Sequence, residues 1–319
     1  MPKYELGFRM RFMLWVLNFV KKPASSLTMK QIRRQRKPFP IGFLARWVLG
    51  RGPDLADVKE SSFPARDGHE VPIRIYRPSE QDNLPLILNF HGGGWVLGNL
   101  DQSDHYCRSL AKKCEALVIS VDYRLAPENK FPIPLQDCYD SLCWAAENAV
   151  RLGIDLERIA VTGDSAGGNL SAAVSLMSRD LKGPKIAFQA LVYPATNGKL
   201  DYPSFAEHVK APILSKADVL FYMNAYKKEP DDHLKPYFSP YLAEDLSQLP
   251  PALVITAGYD PLRDDGRQYG QRLIDSGNEV VCLDFPKEIH GFITLVNHSP
   301  RNAEAIEQIA KHLQRAFGS

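Results

Sequence analysis

From residue 58 onward the chain alternates short apolar runs with helical periods, and this alternation limits its fold more than any other feature. The runs cover residues 86–90, 117–121, 159–162, 186–193, 253–256 and 280–284. They are close to continuously apolar, as strands covered on both faces must be. Helical periods lie between most of them, so the strands connect by crossovers. The pattern predicts an α/β fold: an open, mostly parallel central sheet with helices on both faces. Ahead of it, residues 58–65 and 71–77 flank Asp67-Gly68 and read as a β-hairpin. One interval departs from the rhythm. Residues 195–249 separate two strands and far exceed a crossover, so an inserted helical subdomain is expected there.

Composition agrees with a large core. The chain has 319 residues, 45% hydrophobic and 24% charged, which excludes a disordered tail, a collagen and a small disulfide-stapled scaffold. The net charge of +2 hides a split: residues 1–51 carry twelve Lys/Arg against the single acid Glu5, a balance of +11, and the rest of the chain carries −9. Such an arm can face an anionic surface or nucleic acid, or form the solvated face of helices. The five cysteines (Cys107, Cys114, Cys138, Cys143, Cys282) are odd in number and lack metal or redox spacing, so reduced thiols and a cytoplasmic setting are expected. The apolar segment 12–20 would cover only about 14 Å of a hydrocarbon layer about 30 Å thick. Lys21-Lys22-Pro23 stands where a signal peptide would have its cleavage site. Leu6, Met10, Met13, Leu14 and Leu17 share one helical stripe, which predicts an amphipathic helix, with a membrane surface as an alternative cover to the protein body. Residues 25–40 suggest a second short basic helix ending at Pro38 and Pro40, and 41–53 a Gly- and Pro-punctuated join.

Chemistry gathers at three strand ends. The first is Gly163-Asp164-Ser165-Ala166-Gly167-Gly168, after the apolar run 159–162 and before a helical stretch. A serine on a sharp strand-to-helix turn has its hydroxyl lifted into the open, and small neighbours permit the close backbone approach. G-x-S-x-G alone would arise by chance in about one chain in ten of this length, so the strand–turn–helix context carries the argument. The second is His91-Gly92-Gly93-Gly94-Trp95, where three glycines at a strand end suit an oxyanion hole. There N–H groups must approach a substrate oxygen unobstructed. Gly92, Gly93 and Gly94 are the candidate donors, two of them acting with the N–H of Ala166. His91 is expected to brace this loop through hydrogen bonds.

A serine nucleophile needs a base, and the base an orienting carboxylate. Of eight histidines, His290 fits best: it follows the run 280–284 and precedes Gly291. His298 is the fallback. The acid should follow the preceding strand, where Asp260 stands at the end of 253–256. Asp264 and Asp265 are alternatives, with first-turn helix acids as their simpler reading. Trp95 and Phe292 flank these groups in sequence and are candidates to line the acyl or alcohol pocket, with core packing the alternative for each.

Together HGGGW at 91–95, YRLAPE at 123–128, GDSAGGN at 163–169, DPLRDDG at 260–266 and HGF at 290–292 resemble, in order, the motifs of the hormone-sensitive-lipase-like branch of the α/β-hydrolases, the bacterial family IV esterases. The resemblance implies an α/β-hydrolase fold with a helical cap and a carboxylic ester hydrolase with a Ser165-Asp260-His290 triad. It implies no metal and no cofactor, and a small-molecule ester of short-to-medium acyl chain as substrate. The cap would combine residues 1–50 with an insertion at about 195–240, and 51–319 would form the catalytic domain. The apolar stripe of the N-terminal helices would then lie over the active-site mouth with Lys and Arg outward, where a peripheral membrane contact is open to them.

Other readings stay open at this stage. They are a deacetylase or amidase, a longer-chain lipase, and a non-catalytic ligand-binding module. A nucleic-acid partner is not expected, because the basic arm lacks interleaved aromatics or a recognisable module. The chain is expected as a monomer or homodimer.

Overall fold

A computed structural model describes residues 4–20, 23–37 and 50–318, with side chains described outside 17–20. Eight strands form one sheet: β1 (Asp57–Pro64), β2 (Glu70–Arg77), β3 (Leu84–Phe90), β4 (Leu117–Val121), β5 (Ile154–Asp164), β6 (Phe188–Val192), β7 (Ala252–Tyr259) and β8 (Val280–Ile289). Their order is β1-β2-β4-β3-β5-β6-β7-β8. The β1–β2 hairpin and the β2–β4 pair are antiparallel, and every later pair is parallel. The expected strands are all present. β3 and β4 are buried along their whole length, which is why they read as unbroken apolar runs.

The period-two alternation of strand side chains divides the core into two layers. Leu86, Leu88 and Phe90 belong to one cluster with Val161 and Leu135, and Ile87 belongs to the other with Ala160 and Ile255. Over the first layer lie helices from Ile133–Glu147 and Ala166–Asp180. Over the second lie Asp104–Cys114 and the final helix Asn302–Phe317.

Numbered along the chain, the α-helices of the described residues are α1 (Phe8–Val20), α2 (Met29–Gln35), α3 (Asp104–Cys114), α4 (Ile133–Glu147), α5 (Ala149–Leu152), α6 (Ala166–Asp180), α7 (Pro203–Glu207), α8 (Lys216–Tyr226), α9 (Arg263–Asp275) and α10 (Asn302–Phe317). The interval 195–249 holds α7, α8 and two 3-10 turns.

On α1, Met10 and Met13 are buried against Ile289 and Leu295, with Leu6 and Leu14 partly buried beside them. The stripe therefore seats against the segment that carries His290. Among the described residues none from 4–37 lines the cavity at Ser165. The second basic helix is shorter than expected. α2 starts at a capping box in which Thr28 and Gln31 satisfy each other's N–H groups, and it ends at Gln35. Leu17's side chain, Pro38, Pro40 and residues 41–49 lie outside the described residues.

Candidate active site

The sheet register brings the motifs together. Phe90 pairs with Gly163 across β3–β5, so the glycine loop after β3 leaves the sheet beside the turn after β5. Tyr259 pairs with Ile289 across β7–β8, which sets Asp260 next to His290. All four segments issue from the carboxyl ends of parallel strands, where an open α/β sheet presents its crevice.

Ser165 stands between β5 and α6 at φ 57° and ψ −117°. A non-glycine residue held there stores about 1–3 kcal/mol. The turn is tied on both sides: Ser165 N–H donates to Val192 O at 2.8 Å, and Asn169 N–H donates to Ser165 O at 3.0 Å. Gly167 has a steric cause, because a Cβ there would come within 1.8 Å of Phe90 O. α6 thus starts hard against the end of β3 and aims its unpaired first-turn N–H groups at the site.

His290 lies between Ser165 and Asp260. Its Nε2 is 2.8 Å from Ser165 Oγ and its Nδ1 is 2.6 Å from Asp260 Oδ2. Asp260 is fully buried, and its Oδ1 accepts the Leu262 N–H at 2.8 Å, which orients the carboxylate. With the carboxylate on Nδ1, the imidazole keeps its proton there and turns a lone pair to the serine hydroxyl. Tyr193, a residue without any motif signal, packs its ring 4.7 Å from His290.

The glycine loop divides its N–H groups. Gly92, expected as an oxyanion donor, has its N–H already taken: it donates to Asp164 Oδ1 at 2.7 Å. Burial raises the Asp164 carboxyl above its ordinary value, and the Gly92 N–H offsets part of this. Among the described residues no protein group accepts the N–H of Gly93 or Gly94. Those two have φ 123° and 62°, and a Cβ on Gly93 would strike Leu97 O at 2.2 Å. Ala166, the first residue of α6, has no intrahelical acceptor for its N–H.

YRLAPE braces this loop. Tyr123 OH donates to His91 O at 2.7 Å and stacks on the His91 ring at 4.4 Å. Ala126 N–H donates to Trp95 O at 2.8 Å, and Arg124 grips the buried Asp137 with its backbone N–H and guanidinium. His91 is fully buried behind the loop, its Nδ1 2.8 Å from Gly92 O.

A cavity opens at Ser165. Trp95 lines it, stacked on Tyr226 at 4.6 Å with its indole N–H 3.3 Å from Asn169 Oδ1. Opposite stand Val219, Tyr222 and Met223 of α8. Phe292 does not line it. That ring is fully buried in the second core layer, 5.2 Å from Phe285 and 5.7 Å from Tyr193, so its closeness to His290 in sequence is misleading. His298 is buried in the loop before α10, also away from the cavity lining. Asp264 accepts the Ser204 N–H, and Asp265 accepts the N–H groups of Thr196 and Asn197, so both fasten the insertion rather than His290. Among the described residues no three His, Cys, Asp or Glu side chains converge as metal ligands, and no helix is long and apolar enough to cross a membrane.

Residues 87–294 match the sequence family described as the alpha/beta hydrolase fold. The chain is 44% identical over 253 residues to carboxylesterase NlhH of Mycobacterium tuberculosis, spanning 78% of this chain and 79% of that protein. It is 43% identical over 241 residues to an arylesterase of Saccharolobus solfataricus, spanning 75% of this chain and 77% of the relative. The solved structure of a hyperthermophilic esterase from the archaeon Pyrobaculum calidifontis superposes with a TM-score of 0.90 at 38% identity, over 100% of both chains. Fold, motif order and these likenesses agree: the chain belongs to the α/β-hydrolase family, in its hormone-sensitive-lipase-like branch.

Proposed function

We propose that this chain is a serine carboxylic ester hydrolase acting on short-to-medium acyl esters, with Ser165 as nucleophile, His290 as base and Asp260 as the orienting acid. The observation that carries the reading is the run of contacts from Ser165 Oγ through the imidazole to Asp260, 2.8 and 2.6 Å, at the end of a cavity. Relatives named carboxylesterase and arylesterase support the same chemistry.

In the first step Ser165 Oγ bonds to the ester carbonyl carbon while its proton passes to His290 Nε2. The carbonyl oxygen becomes an oxyanion facing the N–H groups of Gly93, Gly94 and Ala166, and Asp260 stabilises the imidazolium. As the C–O bond to the alcohol breaks, Nε2–H protonates the leaving oxygen. Water then gives a proton to Nε2 and attacks the acyl-enzyme, and collapse returns the proton to Ser165 and releases the acid. Val219, Tyr222 and Met223 support reading residues 195–240 as a cap, and their bulk beside Ser165 supports the shorter acyl chains. The packing of Met10 and Met13 beside His290 supports the N-terminal segment as the second cap piece.

Ser165→Ala should abolish turnover of p-nitrophenyl esters with the fold intact, and the wild-type rate should peak below C12. Near-wild-type activity in the variant would refute the nucleophile, and a maximum at C12 or beyond would refute the chain length. The free cysteines support a cytoplasmic setting. Arg9 and Arg11 are exposed on α1 beside Phe8, which is 84% exposed. These support a peripheral contact with anionic lipid. Sedimentation with phosphatidylglycerol vesicles should carry the protein down at low salt, and its absence from the pellet would end that reading.

A further inference from the structure

The basic arm does not present all its cations to solvent. Arg36 closes the C-terminus of α2, and its guanidinium is largely covered, with 18% of the side chain exposed. Its Nε donates to Val96 O at 2.8 Å, Nη2 to Ala126 O at 2.5 Å and Nη1 to Glu128 Oε2 at 3.0 Å. In return Asn99 Nδ2 donates to Arg36 O at 3.1 Å. Three acceptors from two separate loops meet on one planar fork. The first loop continues from the glycines through Trp95 and Val96, and the second is the YRLAPE segment.

Among the described residues one backbone bond joins these loops in this region, Ala126 N–H to Trp95 O at 2.8 Å. The Arg36 fork brackets that bond, taking the carbonyl of the next residue on one side and of Ala126 itself on the other. Trp95 needs the support, being a non-glycine residue at φ 59° directly after Gly94. The arm is also anchored at its other end. Ser25 N–H donates to Asp218 Oδ1 at 3.0 Å, and Asp218 caps α8, the helix whose Tyr222 ring lies against Gly94. Residues 23–37 therefore span from the helix on one side of Gly94 to the carbonyls on the other.

We propose that Arg36 is a positioning residue for the oxyanion hole, holding the Gly93-Gly94 N–H groups in line through Val96 and Ala126. The proposal rests on the esterase reading above for the identity of the reacting oxygen. Only a guanidinium can serve it. Its rigid fork reaches several acceptors at once, whereas an ammonium on a flexible stem is a point charge. Misplacing catalytic groups by a fraction of an ångström to an ångström costs up to about 100-fold in rate.

The test compares wild type, Arg36→Met and Arg36→Lys by p-nitrophenyl ester kinetics and by the rate at which a fluorophosphonate labels Ser165, followed by intact mass. Arg36→Met should lower kcat and the labelling rate by about 10- to 100-fold with KM within about twofold. Arg36→Lys should recover only part of the loss, and added guanidinium ion should partly restore the Met variant. A folded Arg36→Met with wild-type kcat, or one whose only change is a raised KM or a lower melting temperature, overturns the proposal. Should that variant not fold, Arg36→Lys decides alone, since it keeps the charge beside Glu128 and loses the fork; wild-type kcat in it is equally fatal. A wild-type protein that takes the phosphonate at Ser165 but cleaves no ester would refute the esterase reading, and the labelling rates would still judge Arg36.

Discussion

Ser165 and Asp164 are adjacent in sequence and hold different partners. One presents its hydroxyl to His290, and the other holds the glycine loop through the Gly92 N–H at 2.7 Å. A shift of the serine turn therefore drags the glycine loop with it. Asp260 has a narrower task, because its two oxygens are occupied by His290 Nδ1 and Leu262 N–H. Asp260→Asn keeps the shape but offers an amide to one of those donors, which favours the wrong imidazole tautomer. The expected outcome is a loss of about four orders of magnitude in kcat with a native circular dichroism spectrum. A loss below about tenfold in steady-state kinetics would remove Asp260 from the triad.

At the scale of elements, Asp265 shows how α9 secures the start of the insertion. It accepts the N–H groups of Thr196 and Asn197 and the Thr196 hydroxyl, while burial pushes its carboxyl from 3.8 up to about 7. A raised carboxyl keeps its proton in the folded chain at pH values where the unfolded chain has lost it. Stability should then fall as pH rises from about 4 to about 7 and level off above. Asp265→Asn cannot titrate, so its unfolding midpoints should fall less steeply across that window. Parallel pH profiles for the two proteins would contradict this assignment. Elements and motifs of this kind were legible where the signal was local. β3 and β4 announced themselves as unbroken apolar runs, and the serine turn by its glycines between a strand and a helix. What escaped depended on distant partners. Gly92 is disarmed by an acid 72 residues away, and Arg36 reads as a solvated cation until Val96 and Ala126, 60 and 90 residues on, come into view. Phe292 takes its core-packing alternative: a neighbour of His290 in sequence turns into the other core layer.

For the whole molecule, the charge split marks two kinds of surface on one arm. Arg33 and Arg36 pair with Glu128 of the catalytic body, while Arg9 and Arg11 on α1 stay exposed. The sheet itself is unequal across its width. Ser165 rises from β5, flanked by β3 and β6, whereas His290 follows β8, an edge strand that among the described residues pairs with β7 alone and is backed by Met10 and Met13. An edge strand with one partner opens before strands that have two. Gradual heating should therefore silence the enzyme before it melts the protein: the loss of initial ester-hydrolysis rate should run several degrees ahead of the far-ultraviolet circular dichroism transition and be regained on brief cooling from that interval. Coincident curves would mean that the border of the sheet is as durable as its centre.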